Sequence, residues 1–159
     1  MEGLLPLIVL AIVAYFLWHL IRRSRGRSTT VRTEGTIQGP GEFACEVVGE
    51  SKYQRHLEKI AGGRTEESAQ LHKKAVLALE DDNQHDKDAV CVRIDGLRVG
   101  YLPRPMAKMY RKRLAEQNAP IGHYPIGHYL CEALIVGGWD RGEGDKGHFG
   151  VRLDLPIED

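Results

Sequence analysis

Hydrophobic positions along this chain follow three patterns. The first is continuous. Residues 3–21 carry no Asp, Glu, Lys or Arg, and Leu4 to Trp18 is almost wholly apolar. At about 1.5 Å per residue such a helix just crosses a hydrocarbon layer of roughly 30 Å. Tyr15, Trp18 and His19 suit the headgroup zone, and Pro6 falls in the first turn, where its missing N–H costs little. Basic residues follow this run instead of preceding it, and no small-residue cleavage pattern succeeds it. The expectation is therefore a single transmembrane anchor and not a cleaved signal peptide.

The second pattern is alternation. Phe43, Cys45 and Val47 alternate with more polar positions, as do Val90, Val92 and Ile94, and again Phe149, Val151, Leu153 and Leu155. The short runs 75–80, 97–102 and 130–136 complete a set of about six strands. Asp95-Gly96 between two of them is a hairpin signal, because both residues tolerate positive φ. The third pattern is helical. Ser51-Lys52-Tyr53-Gln54 matches a capping box ahead of Tyr53, Leu57 and Ile60, and Gly62-Gly63 ends that segment. A second helix is expected from Pro105, with Met106, Met109, Tyr110 and Leu114 inward and Lys108, Arg111, Lys112 and Arg113 on a solvated face. The fold class expected is mainly β: a small barrel or half-closed sheet with two short helices, preceded by one transmembrane helix.

Charge sharpens this organisation. Four of the 22 basic residues (Arg22, Arg23, Arg25 and Arg27) stand directly after the apolar run, and only Glu2 of the 22 acidic ones precedes them. Positive charge stays inside, so the remainder of the chain is expected on the cytoplasmic face. From Ser28 onward 18 basic residues meet 21 acidic ones, which disfavours broad coating of nucleic acid but not a local site. The expected division is an anchor over 1–21, a basic stop and flexible linker over 22–41, and a globular domain over 42–159. Cys45, Cys91 and Cys131 form no CxxC pair and suit reduced, buried thiols. Pro120-Ile121-Gly122-His123-Tyr124 recurs at once as Pro125-Ile126-Gly127-His128-Tyr129, a duplication that lengthens a loop, and its two histidines lack the partners of a metal site.

Chemistry concentrates in residues 80–89, Glu-Asp-Asp-Asn-Gln-His-Asp-Lys-Asp-Ala. A calcium loop starting at Asp81 would need Gly and Glu where Asp86 and Val92 stand. Zinc ligands are missing, and a hydrolytic centre at Asp82, His85, Asp86 and Asp88 lacks a nucleophile. Gly62-Gly63-Arg64-Thr65 is not a phosphate-binding P-loop. No catalysis, metal or cofactor is expected.

Five segments in order carry a resemblance: 47–53 (VVGESKY), 82–90 (DNQHDKDAV), 99–102 (VGYL), 137–139 (GGW) and 149–155 (FGVRLDL). Together, across about residues 42–156, they resemble the HIRAN domain. That family occurs alone in bacteria and at the N-terminus of helicase-like transcription factor and related DNA-repair ATPases. The resemblance implies a modified oligonucleotide-binding (OB-like) β-barrel that binds single-stranded DNA at a free 3′ end. It puts Tyr53 at a pocket aromatic position, His85 where the family often has Tyr, and Asp86 at the carboxylate that meets the 3′-hydroxyl. Tyr101 and Arg104 fall where side chains reach phosphates. Lys52 stands where the repair proteins have a second aromatic, so a stacking ring is exchanged for a charge, and Gln84 replaces a Pro. The resulting expectation is a membrane-tethered module for single-stranded DNA 3′ ends, in contact with the bilayer through residues 4–21. The alternative is a docking module for a protein partner at the inner membrane face, with a degenerate pocket.

Overall fold

The computed structural model describes residues 33, 35–117 and 128–156 of the chain. The expected membrane anchor over 1–21, the basic cluster after it and residues 120–127 of the repeat, His123 included, lie outside the described residues. No helix among the described residues is long and apolar enough to cross a membrane.

Among the described residues seven strands form one sheet: β1 (Gly35–Thr36), β2 (Cys45–Glu46), β3 (Ala69–Leu79), β4 (Val90–Ile94), β5 (Leu97–Tyr101), β6 (Tyr129–Gly137) and β7 (Phe149–Asp154). Their spatial order is β2-β7-β6-β3-β4-β5, all antiparallel, while β1 pairs in parallel with the start of β6. Two helices among the described residues, α1 (Gln54–Ala61) and α2 (Arg104–Gln117), accompany it. The mainly β class, with two short helices, is the one the alternation predicts. The core takes one residue in two from β6 and β7: Cys131, Ala133, Ile135, Phe149, Val151 and Leu153 are all buried, with Leu77, Val90, Val92, Ile94, Val99 and Leu57 against them. Cys45, Cys91 and Cys131 are free and buried in this core. Burial pushes the thiol of Cys91 up to about 11 and that of Cys131 up to about 12, so packing is their role.

The sheet curls until its two ends meet. Cys45 and Glu46 pair with Leu153 and Arg152 on one side. Two residues later Val48 exchanges both backbone hydrogen bonds with Tyr101, at 2.9 Å each, at the end of β5. This seam brings backbone against backbone at Gly100, where a Cβ would lie 2.4 Å from Val47 Cγ1 and 2.7 Å from the Val48 carbonyl oxygen. A second close approach joins two of the sequence segments quoted above: Gly138 lies flat on the Phe149 ring, leaving no room for a Cβ. Trp139 packs on Gly147 and donates from Nε1 to Asp145, so it belongs to this loop.

Residues 35–41 fall within the stretch expected as linker. They carry β1, Ile37 donates its N–H to the Leu130 carbonyl, and the Gly41 N–H donates to the buried Asp154 carboxylate at 2.8 Å. The expected capping box is not formed. Gly49, at φ 81°, leads instead into one 3-10 turn, Glu50–Tyr53, and Ser51 makes no cap. Gln54 turns its amide to β7, where Nε2 donates to the Phe149 carbonyl at 2.9 Å and Oε1 accepts the Phe149 N–H at 2.8 Å. Glu50 Oε1 accepts the Val151 N–H. These two side chains continue the ladder where β2 stops, and an unpaired buried N–H costs more than a helix cap contributes.

The seam makes a prediction for Gly100→Ala. The new methyl group has no room, so stability should fall by roughly 3 kcal/mol, the upper range for overpacking. Gly142→Ala is the control, since its Cβ meets nothing within 4 Å, and it should cost only the left-handed strain of about 1 kcal/mol. Urea unfolding followed by far-UV circular dichroism compares the two, and equal losses would remove the seam from the account.

Candidate functional site

A cleft of about 930 Å³ opens beside the seam. All six residues singled out from the sequence line it: Lys52, Tyr53, His85, Asp86, Tyr101 and Arg104. They arrive from the 3-10 turn, the loop between β3 and β4, the end of β5 and the start of α2, and the closed seam holds these four segments in register. Lys52, His85 and Arg104 are exposed, and Tyr53, Asp86 and Tyr101 are half-buried. The cleft contains four basic side chains (Lys52, Arg93, Arg98 and Arg104) and three acidic ones (Glu80, Asp82 and Asp86).

Its floor is a polar network that the sequence reading did not find. Arg98 Nη1 donates to the Tyr101 hydroxyl at 2.9 Å, Arg98 Nη2 pairs with Glu80, and the Tyr101 hydroxyl donates to the other Glu80 oxygen at 3.1 Å. The guanidinium also stacks over the Tyr101 ring, 5.5 Å from its centroid. The Tyr53 hydroxyl hydrogen-bonds into the same group. The Tyr53 ring is stacked on His56, with centroids 5.9 Å apart, and His56 Nδ1 donates to the Arg98 carbonyl at 2.7 Å. Both tyrosine rings are therefore fixed from behind.

Strict alternation would place Tyr101 on the face of Leu97 and Val99, opposite Arg98. The register of β4 against β5 shifts between Val92 and Arg93: Val92 faces Gly100 while Arg93 faces Arg98. The extra residue, Val99, is fully buried, and the shift brings Arg98 and Tyr101 to the cleft side together. No turn or charge signal in the sequence announces this bulge. Glu80 was legible only as the acidic end of a strand.

The acidic loop is ordered by its own side chains. Asn83 Oδ1 accepts the N–H groups of His85 and Asp86, and Asp86 Oδ1 accepts that of Asp88 at 3.0 Å. Asp86 Oδ2 lies 3.1 Å from Arg104 Nε. A carboxylate offers about four acceptor positions, so Asp86 retains capacity for another donor. Arg111, expected on the solvated face of α2, instead reaches back to this loop: it donates to the carbonyls of Asp88 and Ala89 and pairs with Asp81 at 2.7 Å. Among the described residues no three His, Cys, Asp or Glu side chains converge as metal ligands, so Asp82, His85, Asp86 and Asp88 are not gathered around one point.

Burial, with hydrogen bonding to Tyr53 and to the Glu80 carboxylate, raises the Tyr101 phenol above its ordinary value. The folded protein thus holds this proton more tightly than the unfolded chain, whose phenol titrates near 10. The stability it confers is complete below about pH 10 and is lost as pH rises above that. Thermal melts across this range should show an alkaline decline that is shallower in Tyr101→Phe, and parallel declines would detach Tyr101 from it.

No family model matches the chain, and no curated protein or solved structure is significantly similar to it.

Proposed function

We propose that this domain is a HIRAN-like module of the modified OB type that binds the 3′ end of single-stranded DNA, has no catalysis of its own, and is held at the cytoplasmic face of a membrane by the apolar segment 4–21. The observation that carries this reading is convergence. Six residues chosen from separated motifs line one open cleft in which two aromatic rings, a carboxylate and several cations face a common space. Those are the groups that end binding needs. Rings stack bases with little regard to sequence, cations hold phosphates, and a carboxylate accepts a hydrogen bond from a terminal hydroxyl. Tyr53 and Tyr101 supply the rings, Lys52 and Arg104 the phosphate contacts, Asp86 the acceptor and His85 a wall beside it. The barrel-like sheet and the cleft beside its closing strands are consistent with the OB type.

The near balance of charge in the cleft also favours an end over a continuous strand. Coating a strand requires a long positive groove, and its affinity comes from released counterions. A cleft with four cations and three acids gains little that way, so its selectivity must come from a group that only a terminus offers.

The test is fluorescence anisotropy at low salt with the full chain in uncharged detergent, comparing linear and circular single-stranded DNA of equal length. The linear form should bind more tightly. Asp86→Ala should reduce that affinity by about tenfold, the value of one charge-assisted hydrogen bond. Equal affinity for both forms would mean that no end is recognised. Absence of binding to either would leave the protein-docking alternative as the better account.

A further inference from the structure

A cavity of about 180 Å³ lies along α2 and shares only Leu102 with the cleft. The four residues expected on the inner stripe of this helix, Met106, Met109, Tyr110 and Leu114, all line it. Of these only Leu114 is buried, and it stands outside the main core cluster. The other three are half-buried. The apolar stripe therefore borders open space where a packed helix would meet side chains. Tyr129 of β6 lines the cavity too, with Ile37 and Leu155 from the residues just after β1 and β7. Native interiors hold few voids larger than a water molecule. An apolar cavity of about 150 Å³ stays dry and takes up a benzene molecule. Arg113, half-buried, is the one charged side chain in the lining, and no carboxylate lines it among the described residues.

We propose that this cavity binds a small carboxylate with an apolar tail of about five or six carbons, the class of hexanoate. The volume sets the tail: space on the scale of one benzene ring holds a short chain and excludes a nucleotide or a two-chain lipid. The lining sets its character. Met106 and Met109 are unbranched and polarizable, so they adapt to a flexible alkyl chain. Arg113 sets the head group, because a guanidinium fork matches the two oxygens of a carboxylate. Arg113 already takes part in an interaction within the fold, and its five N–H donors serve an anion beside it. With one cation and no acid in the lining, an anionic head is favoured over a neutral one and an ammonium is repelled. This site stands whether or not the cleft takes a DNA end, since Leu102 is the only residue that lines both.

The chain has three methionines, Met1, Met106 and Met109, so carbon-13 labelling of methionine methyl groups puts two of the three NMR signals at the cavity. The labelled full chain in phosphatidylcholine nanodiscs is titrated with hexanoate at neutral pH, with acetate and hexan-1-ol as comparisons. Under hexanoate the Met106 and Met109 signals should shift saturably, half-complete at about 1 mM or below for a ligand of this size. Met1 should not follow them, and acetate should move neither. Arg113→Gln should weaken hexanoate by about tenfold, the scale of one charge-assisted contact, and change hexan-1-ol by less than about twofold. Ile37→Phe sets a ring in the cavity, keeps both reporters and should abolish binding of both ligands. Shifts that never saturate, or that Met1 shares equally, mean partition into the bilayer and overturn the site. Equal affinity for hexanoate and hexan-1-ol, or hexanoate binding indifferent to Arg113→Gln, leaves an apolar void and overturns the carboxylate. Signals that follow the lipid chain length and ignore hexanoate give the cavity to a bilayer lipid and overturn the proposal. Should Ile37→Phe lose its fold, the two ligands on Arg113→Gln decide alone.

Discussion

Two backbone hydrogen bonds between Val48 and Tyr101 are the constraint on which both fold and cleft depend. They join the outer edges of a curved sheet, so the edges that would otherwise stay open satisfy each other at this point. They also decide what stands next to what. The chain leaves the seam at Gly49, turns once through residues 50–53, and delivers Tyr53 beside Tyr101. Glu50 and Gln54, on the same short segment, lock it to β7 through backbone hydrogen bonds. The segment that carries the cleft's first aromatic ring is therefore pinned on two sides. Under the proposed function, a pair of rings that stacks on a base needs that rigidity, because each freely rotating side chain would charge its ordering entropy to binding.

Arg98 shows how position differs from identity. An arginine in a cleft invites the reading of a phosphate clamp. Here its Nη1 goes to Tyr101, its Nη2 to Glu80, and its plane lies over the Tyr101 ring. A half-buried guanidinium with its donors engaged is held by its partners, and withdrawing it to meet a ligand would strand Glu80 in a site that is only 16% exposed. Arg98 therefore supports the rings. Arg104 differs in degree of commitment: its side chain is 75% exposed and bound through one contact. An exposed pair of this kind is worth little, so Arg104 can exchange Asp86 for a ligand oxygen at small cost.

Most of the framework was legible because alternation and turn chemistry are local. Phe149 to Leu155 reads as a strand from its own residues, and Asp95-Gly96 forms the tight turn it announces, at φ 50° and 77°. Gly62 ends α1 as expected. What failed was local evidence overruled by a distant partner. Ser51 and Gln54 fit a capping box, but Gln54 finds an unpaired stretch of β7 ninety-five residues away and satisfies both of its backbone groups. Arg111 fits a solvated face, but the carbonyls of Asp88 and Ala89 sit within its reach. The bulge at Val99 is the costliest omission, because a one-residue slip reverses every side chain beyond it. Without it Tyr101 belongs to the core; with it Tyr101 belongs to the cleft.

The acidic loop resolves into a division of labour that its composition conceals. Asn83 orders the turn, Asp81 receives Arg111, and Asp86 joins the turn to α2 through Arg104. Asn83 and Asp81 are thus spent on ordering the loop and holding it against the helix, while Asp86 keeps an acceptor position open. Asp82, exposed on the cleft wall, is not tied in this way and remains as a repulsive element toward any phosphate passing it. Under the proposed function, such an element weakens binding of a strand that runs past it. On the same reading, acids and cations that line one cleft let a site of near-neutral charge choose between an end and a middle.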